Sequence, residues 1–88
     1  MMEVRRKAAA GTMQSSDVTV SVEPADHLEI RVESTVKKQF EHLIRARIEE
    51  TLASHGVTRG IIQISDRGAL DYALVARVET ALRRASED

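Results

Sequence analysis

The chain has 88 residues, a formal net charge of −1 from 13 basic and 14 acidic side chains, and a composition that is 42% hydrophobic and 31% charged. That length supports one domain whose folding withdraws somewhat above ~60% of its unfolded surface from water, and the aliphatic content excludes a disordered chain. Balanced charge with one Phe and one Tyr argues against nucleic acid as a partner, because such binding rests on clustered cations and stacked aromatics.

In chain order, residues 1–16 combine charge, small side chains and Gly11 without a sustained apolar period, and are expected to form a flexible arm ending in a turn. Arg5-Arg6-Lys7 is followed only by Ala8-Ala9-Ala10, far short of the ~7 to 15 apolar residues of a signal-peptide core. Residues 17–88 are expected to form a single α+β domain. Val18, Val20 and Val22 alternate with Thr19, Ser21 and Glu23, which predicts a first strand with β-branched residues on its buried face. Pro24, Ala25 and Asp26 supply turn chemistry, and Leu28, Ile30 and Val32 alternate with Glu29, Arg31 and Glu33 in a second strand, so the two are expected to pair as an antiparallel hairpin.

Ser34 or Thr35 is placed to cap a first helix, on which Val36, Phe40, Leu43, Ile44, Ile48 and Leu52 recur at three and four residues as the buried stripe. Gly56 is placed to end that helix in a left-handed conformation. Ile62 and Ile64 share one face of a third strand, reached by a crossover over the sheet. Asp66-Arg67-Gly68 reads as a turn, and Leu70, Leu74, Val78, Ala81 and Leu82 trace the buried side of a second helix ending near Arg83 and Arg84. The expected architecture is a two-layer ββαβα domain, its three-stranded mixed sheet in the order 2-1-3 and covered on one face by two helices. No run approaches the ~20 apolar residues of a membrane span, so no membrane partner is expected.

Catalytic chemistry needs convergent groups, and the chain offers few. His27 starts a strand on its polar side, His42 stands beside Glu41, and His55 lies at a helix end, where a positive charge suits the dipole. No histidine pair has ligand spacing and there is no cysteine; Glu49 and Glu50 fit a solvated helix face, and Asp66 and Asp71 fit turn or helix-start chemistry. The lack of cysteine also fits a reducing compartment, and the cytoplasm is the expected location. Ser15-Ser16-Asp17 reads as a polar turn before the first strand, with no histidine nearby to activate a hydroxyl. A serine modified by another enzyme needs only exposure, and Ser15 is the candidate for that role.

Ala10-Gly11-Thr12, Ser15 and Asp17 occupy the positions of an Ala-Gly-Thr-x-Glu-Ser-x-Asp segment. Val36, Gln39, Phe40, Gly60, Gln63, Asp66-Arg67-Gly68-Ala69-Leu70-Asp71 and Ala76-Arg77 follow in order. Through these residues the chain resembles the acyl carrier (gamma) subunit of citrate lyase over nearly its whole length after about residue 7. The resemblance implies a non-catalytic carrier in which Ser15 is the attachment point of a covalent cofactor, 2'-(5''-phosphoribosyl)-3'-dephospho-CoA, joined through a phosphodiester. The cofactor's thiol would carry acetyl or citryl groups. The implied partners are the alpha (acyl transferase) and beta (lyase) subunits of citrate lyase and the enzyme that attaches the prosthetic group. Malonate decarboxylase and citramalate lyase complexes use related carriers, and an unmodified structural adaptor is the reading that needs no Ser15. Gln14 departs from the family's Glu, and residues 1–6 match nothing in the pattern.

Overall fold

A computed structural model describes residues 2–34 and 40–87. Strands β1 (Ala8–Gly11), β2 (Val18–Glu23) and β3 (Leu28–Ser34) are followed by helix α1 (Glu41–Ser54), strand β4 (Gly60–Asp66) and helix α2 (Asp71–Ser86). They form one four-stranded sheet in the order β1-β2-β4-β3. β1 and β2 pair antiparallel, as do β2 and β4, whereas β3 and β4 run parallel. The α+β class is as expected, but strand count and order are not.

The expected hairpin between β2 and β3 does not form; β4 lies between them. Pro24, Ala25, Asp26 and His27 connect β2 to β3, and an extended four-residue link reaches about 13 Å, enough to step over one strand when neighbours are ~4.8 Å apart. A short connection therefore did not require direct pairing. The sheltered position goes to the strand with most to gain from it: Ile62 and Ile64 of β4 are fully buried, while Leu28 on β3 is 41% exposed. Leu28 belongs to an edge, which tolerates partial exposure.

β1 lies within the stretch expected to be a flexible arm ending in a turn. Alanine carries little β preference and shows no alternation, so Ala8–Gly11 has no strand signature of its own. Pairing supplies it: Ala8 is opposite Val22 and Ala10 opposite Val20, and Ala10 is buried under α2. The preceding residues are also fastened. Arg5 and Arg6 donate their backbone N–H groups to the Ala85 carbonyl at 2.9 and 3.1 Å, satisfying a helix-end acceptor that α2 itself leaves open. Arg84 Nη1 bonds the Ala9 carbonyl at 2.8 Å, and Met2 N bonds the His55 carbonyl at 2.8 Å.

Val18, Val20, Val22, Ile62 and Ile64 form the sheet side of the core, against Ile48 and Leu52 of α1 and Leu74, Val78, Ala81, Leu82 and Ala85 of α2. The stripe expected on the first helix is only partly buried. Phe40 and Leu43 remain 44% and 56% exposed, and Leu70, expected in the core of the second helix, is 61% exposed. Val36 and Thr35 lie outside the described residues. Ser34 ends β3 and its hydroxyl donates to Asp66 at 2.9 Å; the residues directly after it, 35–39, which a cap there would bond, lie outside the described residues. The expected terminator is present, because Gly56 takes φ 71° while Gly56 N and Val57 N bond the carbonyls of Ala53 and Leu52, the pair of contacts of a Schellman motif. Among the described residues, no helix is long and apolar enough to cross a membrane.

Gly11 joins β1 to the next loop at φ 99°, and a Cβ built there would sit 1.8 Å from the Val18 carbonyl oxygen. No flexible side chain can yield to that clash. Gly11→Ala is expected to lower stability by more than about 2 kcal/mol, since the left-handed conformation alone costs a side-chain-bearing residue roughly 1 to 2. Denaturant unfolding checks this, together with faster hydrogen exchange at Ala10; an unchanged midpoint would show that β1 is not paired as described.

Candidate functional site

The loop from Thr12 to Asp17 connects β1 to β2 at the end of the sheet where β4 finishes. Its geometry starts from hydrogen bonds that continue the β2–β4 pairing past its last paired residues. Val18 is opposite Asp66, and beyond it Arg67 N donates to the Asp17 carbonyl at 2.9 Å while Ser16 N donates to the Arg67 carbonyl at 2.8 Å. One side of the loop is thereby tied to a central strand. Asp17 N reaches the Gln14 carbonyl at 3.3 Å, closing a four-residue turn with Ser15 and Ser16 at its middle. Ser16 takes φ 64°, the sign that a type II turn requires at its third residue.

The Asp17 carboxylate braces this turn. Its Oδ2 accepts from Thr12 Oγ1 at 2.5 Å and its Oδ1 accepts the Val18 N–H at 2.8 Å. Arg77 of α2 meets it with both Nε and Nη2, at 3.4 and 3.3 Å. The Thr12 hydroxyl and then the Val18 N–H hold the Asp17 carboxyl below its ordinary value of 3.8 against the opposing effect of desolvation, and Arg77 adds to the lowering. Thr12 also takes part through its backbone, accepting from Thr19 Oγ1 at 2.8 Å.

Ser15 stands at the tip of this braced turn. It is exposed, and its hydroxyl makes no hydrogen bond among the described residues. Ser16 is equally exposed, but its backbone is the anchored one. The loop thus presents the hydroxyls of Ser15 and Ser16, with the Ser16 backbone held and Ser15 at the tip.

The other candidate residues do not assemble into a site. His27 lies at the opposite end of the sheet, where its carbonyl accepts from Gly60 N. Its ring sits between Asp26 and Glu29, whose hydrogen bonds raise the imidazole above its usual value. His55 Nε2 is 2.6 Å from Glu79 Oε2, and His42 is exposed on α1. Asp66 is buried, accepting from Ser34 Oγ and from Ala69 N at 3.0 Å; Asp71 and Glu50 both pair with Arg47. Among the described residues there is no group of three side chains able to hold a metal ion.

The parts of the site that sequence reasoning left without a role are Thr12, Asp17, Arg67 and Arg77. Each stood in the pattern of resemblance, and the fold brings all four to the serine turn. A family model described as "Malonate decarboxylase delta subunit (MdcD)", under the heading ACP, matches residues 5–85. The citrate lyase acyl carrier protein of Halothermothrix orenii is 46% identical over 87 residues, covering 98% of this chain and 93% of the relative.

The chain belongs to this acyl carrier family. The Clostridium perfringens citrate lyase acyl carrier protein is 48% identical, over 98% of this chain and 87% of the relative. The fold also matches a chain in the crystal structure of a Pseudomonas malonate decarboxylase hetero-tetramer in complex with malonate. The TM-score is 0.80 at 24% identity, over 93% of this chain and 86% of that one. That likeness shows a shared fold.

The brace has a pH signature. A carboxyl held below 3.8 in the folded chain contributes stability that is fully present above 3.8 and is lost as pH falls through the lower folded value. The stability advantage of the native chain over Asp17→Asn is therefore expected at neutral pH and should vanish on acidification below 3.8. Urea unfolding of both proteins across that range is the measurement. A pH-independent difference would mean that the carboxylate charge does not brace the turn.

Proposed function

We propose that this family member carries acyl groups for a citrate-lyase-type complex, on 2'-(5''-phosphoribosyl)-3'-dephospho-CoA joined through a phosphodiester to Ser15. The observation that supports Ser15 is its exposed, unpartnered hydroxyl at the tip of a braced turn. Covalent attachment asks three things of this chain: an accessible oxygen, a backbone that does not collapse over it, and room for a bulky phosphodiester. The turn suits all three. The bound group supplies a terminal thiol for thioester carriage of acetyl or citryl.

The chain's own residues hold the attachment point and do no chemistry on the cargo. No histidine hydrogen-bonds to the serine turn among the described residues, and the Asp17 carboxylate is committed to Thr12, Val18 and Arg77. The base that takes the Ser15 proton during attachment must therefore come from the attaching enzyme. The proposed partners beyond that enzyme are the alpha subunit, an acyl transferase, and the beta subunit, a lyase. Tethering keeps the cargo near both at an effective concentration that reaches the millimolar range for short flexible links. The proposed compartment is the cytoplasm.

A second reading, a carrier for malonate decarboxylase, draws on the description of the matching family model. The near full-length identity to citrate lyase carriers favours the first. A citramalate-lyase carrier uses the same attachment, and an unmodified adaptor uses none.

Intact mass measured on the protein purified with its natural partners tests the proposal. The native chain is expected to carry the prosthetic group, with peptide mapping placing it on Ser15, and Ser15→Ala is expected to have its unmodified mass and no acyl transfer. An unmodified native chain under those conditions, or the group on Ser16, overturns the assignment. The acyl species released by mild hydroxylamine separates citryl from malonyl cargo.

A further inference from the structure

Two arginines of α2 reach β1 and the loop after it, and both are committed. Arg77 is held by the Asp17 carboxylate, and Arg84 by the Ala9 carbonyl. Arg67 differs from both. Its backbone is fixed on each side, by the bonds to Asp17 and Ser16, while its exposed side chain makes no hydrogen bond or ion pair among the described residues. The nearby carboxylates do not claim it: Asp17 is taken by Thr12, Val18 N and Arg77, Asp66 by Ser34 and Ala69 N, and Asp71 by Arg47. Space is open beside it as well, because a Cβ added at Gly68 would meet nothing within 4 Å.

The backbone bonds to Ser16 and Asp17 set the root of this cation beside the serine turn, and its tip is free to reach a negative charge there. Guanidinium is suited to that partner, since its fork of N–H donors matches two phosphate oxygens at once. We propose that Arg67 is a positioning residue that pairs with the phosphate bonded to Ser15 and so orients the root of the attached group. This rests on the Ser15 assignment above. The contact restricts how the phosphodiester leaves the turn, while Asp17 and Arg77 keep the turn itself in place.

The experiment uses the full chain with phosphoserine installed at position 15, a phosphomonoester on the same oxygen whose second ionisation, absent from the diester, serves as the probe and which needs no attaching enzyme. Titration followed by phosphorus NMR reads the second ionisation of that phosphate, ordinarily near ~6. A guanidinium in contact favours the dianion, so the midpoint in the otherwise native chain is expected about half a unit below that of Arg67→Gln, with Arg67→Lys recovering part of the shift. The Asp17 and Arg77 charges are present in all three and cancel. Equal midpoints in the native and Arg67→Gln chains overturn the proposal. Should Arg67→Gln perturb the fold, the contact is read in the native background from the Arg67 Nε–H proton resonance, expected to shift downfield when Ser15 carries the phosphate; a resonance unchanged by the phosphate overturns it equally. An unmodified Ser15 in the purified complex would sink the carrier assignment and leave this result standing, whereas equal midpoints would sink only the role of Arg67.

Discussion

Placing β4 between β2 and β3 is the constraint from which the rest of the molecule follows. Ile64 lies opposite Val20 and Ile62 opposite Val22, and all four are buried beneath the helices. Fully burying one such aliphatic side chain contributes about 1.5 to 3 kcal/mol, so this strand pair is a large share of what a small domain has available. A slip of one residue would turn every one of these side chains to the polar face. Register is therefore strongly held, and the serine turn inherits that precision because its backbone bonds to Arg67 prolong the same pairing.

The site is built as a held backbone around a free hydroxyl. Asp17 gathers a threonine from before the turn, its own next peptide N–H and an arginine from α2, while Ser15 is left to solvent. Such a division suits a residue that another protein must modify, because order is spent on presentation and none on activation. Under the proposed function, the reach between partner sites then belongs to the attached group, with the body of the domain serving as its mount.

How much of this was legible beforehand varies residue by residue. Turn chemistry at Ser15-Ser16-Asp17, the alternation of Val18, Val20 and Val22, and the glycine stop at Gly56 were readable because each depends on neighbours within a few positions. β1 was not, since three alanines and a glycine announce no strand until β2 pairs with them. Phe40 and Leu43 are exposed although they fall on the apolar stripe, because helical periodicity sets which residues share a face and not what covers it.

The amino-acid order by itself determined which faces are apolar, where helices and turns fall, and that Ser15 and Ser16 sit in a polar turn with no histidine beside them in the sequence. Those are consequences of local periodicity and backbone preference. Tertiary structure alone decided that β4 would separate β2 from β3, and that Arg77 would meet Asp17 from 60 positions away. Every strand offers the same backbone hydrogen bonds, so neighbours are chosen by competition for shelter across the whole sheet. Only that competition brings Thr12, Asp17, Arg67 and Arg77 around Ser15.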